Sequence, residues 1–347
     1  MSNLTSSTCQ IRITCQANGF LGDEKMVTLR DIEQAQKTIK PYAIPTLLTR
    51  SKFLSELCSG EVFLKLENQQ VTHSFKIRGV INKLLNLSPE EKARGVVTAS
   101  AGNHGQAVAY GAKKLGFSAQ IVVPTNTPKI KVDSIKQYGA DLLLFGETYT
   151  EAEKKAKEIA TQKGRLYISP YNDELIVSGH GTVGLEILKE LPNVDVVVVP
   201  VGGGGLIAGI SVAIKSQRPN VQVIGVQSKA VPIMYESLKA GKIVPPHRHE
   251  PNTIAEGLSG GIEKGSITFT IAQQYVDEVM LVREESIRQA VYLLWKNEKQ
   301  VVEGSGVAGV AMLLENNDSF TKQTVAIVVT GGNIDDSLLK SIIASEE

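Results

Sequence analysis

One lysine stands where its amine could act as a nucleophile. Lys76 lies in the segment 74–79, Ser-Phe-Lys-Ile-Arg-Gly, between the alternating run 62–67, which predicts a strand, and the helical spacing of 77–85. Ser74 is a candidate N-cap, which places Lys76 in the first helical turn. There the helix dipole and burial both disfavour the ammonium form, and a neutral lysine amine can form a Schiff base with an aldehyde. A solvated lysine at a helix edge is the ordinary alternative, so the other motifs must decide.

A run of four glycines separates a predicted strand at 196–199 from a predicted helix that begins at Leu206: Gly202, Gly203, Gly204 and Gly205. Without Cβ atoms in the way, their N–H groups can converge on an anion at the helix N-terminus. A close-packed turn needs one or two glycines, so four favour phosphate binding. The segment matches neither the dinucleotide fingerprint nor the Walker loop, which makes a nucleotide the weaker form of this hypothesis.

Two further motifs follow predicted strands. The loop 100–105 opens a helix whose N-terminus suits a carboxylate, with side-chain donors from Ser100 and Asn103. Thr330 places a hydroxyl at the carboxyl end of a buried strand, which is where ligands bind in open parallel sheets. A Schiff-base lysine, a phosphate site, a carboxylate site and this hydroxyl together describe a site for pyridoxal 5′-phosphate and an amino acid.

The elements that must position these motifs alternate along the chain. Further strands are predicted at 95–98, 119–123, 141–145, 221–226, 279–282 and 325–329, and further helices at 28–39, 52–57, 106–115, 129–138, 151–163, 181–191, 232–238 and 285–296. Such alternation predicts βαβ units and parallel sheets covered on both faces, an α/β fold. We expect residues 27–91 and 171–347 to form a large domain, 92–170 a small inserted domain, and 1–26 a flexible extension.

Composition narrows the functional class. The 347 residues suggest two domains, and the net charge of +1 argues against a nucleic-acid partner. No apolar run approaches the ~20 residues that span a membrane. Cys9, Cys15 and Cys58 form neither a metal pattern nor a disulfide framework, which favours a reduced, cytoplasmic setting. The extension contains Arg12 but no acidic residue before Asp23, so organellar targeting is the weaker alternative.

The chain resembles the fold-type II pyridoxal-phosphate enzymes of the serine/threonine dehydratase and serine racemase family over about residues 28–345, because these motifs occur in the same order as in that family. The resemblance implies a tryptophan synthase β-like fold, with two parallel-sheet, three-layer domains and the cofactor between them, in a homodimer. It implies that Lys76 carries the cofactor as a Schiff base, that Phe75 packs by the ring and that Asn103 bonds the 3-hydroxyl oxygen. The other implied contacts are the phosphate with Gly202, Gly203, Gly204, Gly205 and Leu206, the pyridine nitrogen with Thr330, the ring with Gly257 and Glu303, and the substrate carboxylate with Ser100, Ala101, Asn103 and His104.

A neutral hydroxyl such as that of Thr330 at the pyridine nitrogen makes the ring a weaker electron sink, which favours prompt loss of a β-leaving group. We therefore expect β-elimination from L-threonine or L-serine to a 2-oxo acid and ammonia, with Lys76 as the base at Cα. Three alternatives remain: a serine racemase, a dehydratase for a less common substrate such as 3-hydroxyaspartate, and a regulatory protein without chemistry. Ala101 stands where racemases usually have a second serine, and this disfavours racemisation.

Other positions depart from the family pattern. His73 and His180 replace the usual glycine and glutamine, and a structural role for each competes with the hypothesis that His73 shapes the substrate pocket. Gln227 replaces a metal-binding glutamate, so no metal site is predicted. His247 and His249 are expected in a surface loop. The chain ends about fifteen residues past Asn333, so a C-terminal regulatory domain like that of biosynthetic threonine deaminases is not expected.

Overall fold

The computed structural model describes residues 10–12, 27–246 and 253–347. The strands in these ranges are β1 (Gln10–Arg12), β2 (Leu48–Arg50), β3 (Glu61–Leu66), β4 (Val96–Ala99), β5 (Ala119–Val123), β6 (Asp141–Leu144), β7 (Leu166–Tyr167), β8 (Val196–Pro200), β9 (Gln222–Ser228), β10 (Glu278–Val282) and β11 (Thr324–Val329).

The helices that the structure describes alternate with these strands. They are α1 (Leu29–Ile39), α2 (Lys52–Cys58), α3 (Lys76–Leu85), α4 (Pro89–Arg94), α5 (Asn103–Leu115), α6 (Lys129–Lys136), α7 (Tyr149–Lys163), α8 (Glu174–Glu190), α9 (Gly205–Gln217), α10 (Ile233–Ala240), α11 (Ile267–Tyr275), α12 (Glu284–Glu298), α13 (Ala308–Glu315) and α14 (Asp336–Glu346). In the described part of the chain, no helix is both long and apolar enough to cross a bilayer.

The larger sheet has seven strands in the order β1-β10-β9-β8-β11-β3-β2. Its five inner strands are parallel, while the edge strands β1 and β2 pair antiparallel. Strand β8 shows why its sequence is an unbroken valine run. Val196 and Val198 pack with α12 and α13, whereas Val197 and Val199 pack with α8 and α9. Both faces are therefore buried, and the sheet is the middle of three layers.

The smaller sheet has four parallel strands in the order β6-β5-β4-β7. Val96 and Ile121 pack with α5 on one face, and Val97 and Val122 pack with α7 on the other. The predicted α/β class with parallel sheets is confirmed. All four strands fall within the segment 92–170, while the domain boundaries themselves remain a prediction.

Some predicted element bounds were wrong. Helix α8 begins at Glu174 rather than 181, because the Asp173 carboxylate caps it by accepting the Leu175 and Ile176 N–H groups. Gly179 and Gly181 lie inside this helix, where an added Cβ would come within 2.6 Å of the Arg78 carbonyl oxygen and 2.8 Å of the Gly209 carbonyl oxygen. These glycines serve close helix packing, whereas their sequence signal is that of a break.

Several elements of the structure were not predicted from the sequence: β1, β2, β7, α4, α11, α13 and α14. Of the predicted N-terminal extension, only residues 10–12 are described, and they form the edge strand β1. The rest of that segment lies outside the described residues, as do His247 and His249.

Candidate active site

The reactive lysine begins a helix, and the chain before it is pinned to the end of β11. Lys76 is the first residue of α3, as the sequence pattern predicts. Ser74, however, is not its N-cap: Phe75 occupies that position with helical φ of −57°, and no side chain caps the helix. The Phe75 N–H donates to the Thr330 carbonyl oxygen at 3.1 Å, and Ser74 forms an isolated bridge with Gly331. This pairing with the neighbouring strand end holds Ser74 out of the capping position.

The Lys76 amine lies in a partly buried site with few partners. Its Nζ donates to the Pro170 carbonyl oxygen at 2.9 Å and lies 5.0 Å from the centroid of the Phe75 ring. Burial lowers the pKa of Lys76 to about 8, although the negative charge of Glu303 opposes this shift. Near neutral pH a substantial fraction of this amine is therefore unprotonated and able to act as a nucleophile or base.

A buried ion cluster fixes the first turn of α3. The Arg78 guanidinium bonds the Glu67 carboxylate at 2.7 and 2.8 Å and the Glu186 carboxylate at 2.6 and 2.8 Å. Lys65 adds an ion pair with Glu186 at 2.7 Å. Two forked pairs on one guanidinium define its position closely. The cluster thus ties α3 to β3 and α8, two residues beyond Lys76.

The glycine loop lies between β8 and α9. Gly204 has φ of +88°, a backbone conformation that favours glycine, and a Cβ on Gly203 would come within 2.4 Å of the Tyr171 ring. Backbone conformation at Gly204 and packing at Gly203 therefore each favour glycine without any ligand, so the number of glycines by itself does not indicate phosphate binding. No side chain caps the first amides of α9, so these N–H groups are available to an anion.

Asn103, Glu303 and Asn333 form a hydrogen-bonded chain across the site. The Asn103 amide nitrogen donates to the Glu303 carboxylate at 2.6 Å, and the Asn333 amide nitrogen donates to the Asn103 amide oxygen at 2.6 Å. Burial raises the pKa of Glu303 to about 7, and the bond from Asn103 opposes that shift. Thr330 is buried beside this chain, and its hydroxyl donates to the Ser305 carbonyl oxygen at 3.4 Å.

The loop before α5 brings the predicted carboxylate-binding residues together. The Ser100 hydroxyl oxygen accepts the Gly102 N–H at 3.2 Å, and Ala101 is partly buried. His104 is buried in the first turn of α5, with Nε2 3.1 Å from the Ile168 carbonyl oxygen. Burial, and secondarily the charge of Lys76, lower the pKa of His104 to about 3, so its imidazole is neutral.

The remaining candidates occupy more peripheral places. Gly257 is exposed, and its N–H donates to the Ser305 hydroxyl oxygen at 2.8 Å. His180 is fully buried and packs edge-on against Phe75, with ring centroids 4.7 Å apart. His73 is exposed with φ of +55°, the left-handed region that glycine occupies most easily. Its proposed effect on the substrate pocket stays a prediction.

Gln227 is buried, and its side-chain oxygen accepts the Tyr235 N–H at 2.8 Å. Within the described residues, no group of three or more His, Cys, Asp and Glu side chains is placed to hold a metal ion.

Sequence reasoning missed three residues of this site. Pro170 contributes a carbonyl oxygen to Lys76, Tyr171 packs on the glycine loop, and Thr268 donates its hydroxyl to the Gly203 carbonyl oxygen at 2.7 Å. Backbone acceptors and packing side chains leave no motif, so no sequence signal marks them. Asn333 was visible only as the last residue of Thr-Gly-Gly-Asn.

The donor set fits pyridoxal phosphate. An amine with a lowered pKa is available for the aldehyde, uncapped helix amides for the phosphate, and Asn103 with Thr330 for the polar atoms of the ring. A lysine amine with a lowered pKa and an uncapped helix N-terminus, in a fold with two sheets of mainly parallel strands, fit the class of fold-type II Schiff-base enzymes that the motifs resemble.

Comparison with known proteins identifies the family. The family model "PALP: Pyridoxal-phosphate dependent enzyme" matches residues 39–331, and the chain belongs to this family. The predicted fold class and cofactor are thereby confirmed.

Named relatives agree with the predicted ammonia-lyase class. The chain is 47% identical over 320 residues to the L-threonine ammonia-lyase of Thermotoga maritima, covering 92% of this chain and 78% of that protein. It is 43% identical over 319 residues to the catabolic L-threonine dehydratase TdcB of Escherichia coli K12, covering 91% and 96%.

Solved structures show the same fold. Maize serine racemase superposes with a TM-score of 0.87 at 33% identity, covering 93% of this chain and 98% of that one. The processed form of threonine deaminase isoform 2 from Solanum lycopersicum superposes with a TM-score of 0.85 at 31% identity, covering 96% and 97%.

Proposed function

We propose that this protein is a pyridoxal-phosphate dependent ammonia-lyase that converts an L-β-hydroxy amino acid such as L-threonine or L-serine to the 2-oxo acid and ammonia. The observation that carries the proposal is the Lys76 amine, whose burial keeps its pKa near 8 at the head of α3. Such an amine serves both as the attachment point for an aldehyde and as a base. The relatives named for threonine support the choice of substrate.

We assign the cofactor contacts as follows. Lys76 would hold the aldehyde carbon, and Phe75 and Gly257 would flank the ring with Glu303. Asn103 would bond the 3-hydroxyl oxygen and Thr330 the pyridine nitrogen, while the phosphate would lie on the amides of Gly202, Gly203, Gly204, Gly205 and Leu206. When bound, pyridoxal phosphate supplies a conjugated ring that withdraws electrons from Cα of the amino acid.

The protein's own side chains supply the remaining functions. The Ser100 hydroxyl, the Asn103 amide and the N-terminus of α5 would bind the substrate carboxylate, since the positive helix end favours an anion there. Ala101 and His104 complete this loop, and His104 contributes a neutral imidazole. Lys76 Nζ then takes the Cα proton. The proton taken from Cα would be balanced by one delivered to the departing β-hydroxyl, which leaves as water, and a later water would replace the amino nitrogen to give the 2-oxo acid and ammonia. The uncharged Thr330 hydroxyl favours prompt loss of the β-hydroxyl.

Release of 2-oxo acid from L-threonine and L-serine tests this function. We expect product from both with the wild-type protein, none with Lys76→Ala, and wild-type rates with Lys113→Ala, which removes an exposed lysine of α5. A protein that binds pyridoxal phosphate but releases no oxo acid from either substrate would reject the proposal. Oxo acid that persists in Lys76→Ala would reject the role of Lys76.

Serine racemase activity is the second candidate, since maize serine racemase shares the fold at 33% identity. Racemisation needs an acid or base on each face of Cα, and the Ala101 methyl group supplies none. We expect no D-serine from the wild-type protein and a gain of D-serine with Ala101→Ser. Formation of D-serine by the wild-type protein would favour the racemase.

We also propose that the protein works as a cytoplasmic homodimer, without nucleic-acid, membrane or metal partners. The family resemblance supports the dimer, and the cysteine pattern supports a reduced, cytoplasmic setting. The net charge of +1 argues against a nucleic-acid partner, the lack of a long apolar run against a membrane, and Gln227 against the metal. Light scattering should give twice the chain mass of 37.4 kDa. A monomeric mass would contradict the dimer.

A further inference from the structure

We propose that Tyr171 is a positioning residue for the cofactor phosphate. Its ring supports the glycine loop 202–205, and its hydroxyl anchors the segment 261–268, which holds that loop from the other side. The role is separate from the choice of amino-acid substrate.

The Tyr171 ring lies directly against the loop. A Cβ on Gly203 would come within 2.4 Å of Tyr171 Cδ1, and a Cβ on Gly205 would come within 3.0 Å of Tyr171 Cα. The preceding residue, Pro170, gives its carbonyl oxygen to Lys76 Nζ at 2.9 Å. One dipeptide therefore contacts both the lysine and the proposed phosphate site.

The Tyr171 hydroxyl makes two hydrogen bonds to the facing segment. It donates to the Gly261 carbonyl oxygen at 3.2 Å and accepts the Glu263 N–H at 3.0 Å. Burial, reinforced by the charge of Glu263, raises the pKa of the phenol, so it remains a donor at working pH. The next residue, Asn172, adds bonds to the Glu263 carboxylate at 3.0 Å and from the Ile267 N–H at 3.1 Å.

The anchored segment leads directly back to the glycine loop. Thr268, in the first turn of α11, donates its hydroxyl to the Gly203 carbonyl oxygen at 2.7 Å, so it accepts the bond from the Ser266 hydroxyl at 2.8 Å. Gly203 is thus held between the Tyr171 ring and the Thr268 hydroxyl. The Tyr171 hydroxyl fixes the position of the segment that carries Thr268.

This arrangement preorganises the loop amides. Glycine-rich backbone has large conformational freedom, so an unsupported loop must be ordered when an anion binds. A loop that is already held in place binds with less loss of entropy. Removing the Tyr171 hydroxyl should loosen the loop and weaken the phosphate contacts while leaving the lysine and the ring contacts in place.

Tyr171→Phe tests the inference, with Tyr167→Phe as the matched control. Tyr167, in strand β7, is also a partly buried tyrosine, and its hydroxyl donates to the carboxylate of Glu153 in α7 at 3.1 Å. The experiment measures dissociation constants of the cofactor-free protein for pyridoxal phosphate and for pyridoxal, which lacks the phosphate, by equilibrium dialysis. The ratio of the two constants isolates the contribution of the phosphate, and urea unfolding of each variant reports its stability.

We expect Tyr171→Phe to weaken pyridoxal phosphate binding about tenfold, the effect of an ordinary hydrogen bond, and to leave pyridoxal binding unchanged. Tyr167→Phe should change neither. Thr268→Val removes the hydrogen bond to Gly203 from the opposite side, so it should also weaken pyridoxal phosphate binding and leave pyridoxal binding unchanged. If Tyr171→Phe does not fold, Thr268→Val provides the test in its place. Equal weakening of both ligands, no weakening, or the same effect in Tyr167→Phe would overturn the proposal.

Discussion

The Lys76 amine should take up pyridoxal phosphate with a pH midpoint near 8. Burial lowers its pKa from 10.5 to about 8. Each pKa unit corresponds to about 1.4 kcal/mol, so the site disfavours the ammonium form by about 3 kcal/mol relative to a solvated lysine. At pH 7.5 about a quarter of the amine is then neutral, against about one molecule in a thousand for an ordinary lysine.

The uptake rate follows the neutral amine, since only that form attacks an aldehyde. From pH 7.5 upward we expect a rise of about fourfold, complete by about pH 9. A lysine with an ordinary pKa would instead gain about tenfold per pH unit to beyond pH 10. The two curves are therefore easily distinguished.

The assay is stopped-flow absorbance of cofactor uptake by the cofactor-free protein between pH 6 and pH 10. The same reaction with a free lysine derivative, run in parallel, corrects for titration of pyridoxal phosphate itself. Glu303→Gln should move the midpoint below that of the wild-type protein, because the Glu303 charge raises the pKa of Lys76. A corrected rate that keeps rising through pH 10, or a midpoint that Glu303→Gln raises, would refute the reasoning.

Three further perturbations test the surroundings of this lysine. Arg78→Ala leaves the buried Glu67 carboxylate without its ionic partner and Glu186 with Lys65, so urea unfolding should show a loss of about 3–5 kcal/mol, and a loss below about 1 kcal/mol would contradict the buried pairing. Burial raises the pKa of Glu303 to about 7, so the folded, cofactor-free protein favours the protonated carboxyl group. This preference stabilises the fold fully at pH values below the pKa of Glu303 in the unfolded chain, and the stabilisation is lost as the pH rises through 7. Glu303→Gln should therefore become more stable than the wild-type protein by up to about 3 kcal/mol at pH 8, with a smaller gap at pH 5; an unchanged gap would exclude the shift. Gly203→Ala places a Cβ 2.4 Å from the Tyr171 ring, so it should cost about 1–3 kcal/mol of unfolding free energy and weaken phosphate binding, whereas wild-type values for both would contradict the close contact.

Local patterns in the sequence were sufficient for much of the fold. The valine run of β8 and the alternation of strand and helix periods predicted parallel sheets covered on both faces. The motifs at Lys76, Gly202–Gly205 and Thr330 lie at ends of these elements, where parallel sheets bind ligands. Hydrophobic periodicity and the residue types of turns depend only on residues close together in the chain, so they can be read from the amino-acid sequence.

Helix ends and caps were less predictable because distant packing competes with local signals. Gly179 and Gly181 have the sequence signal of a break, yet α8 runs through them because α3 and α9 pack closely there. Ser74 has the signal of an N-cap, yet its bridge to Gly331 removes it from that position.

The reactivity of the Lys76 amine is determined by the tertiary structure. The sequence by itself determined that a lysine would begin a helix after a strand, beside a glycine loop and a loop suited to a carboxylate. Its pKa depends on burial by surrounding elements and on the charge of Glu303, more than two hundred positions away in the chain. The support of the glycine loop by Tyr171 and Thr268 likewise joins residues from separate parts of the fold. Desolvation and long-range contact arise only when the chain folds back on itself, so only the tertiary structure decided them.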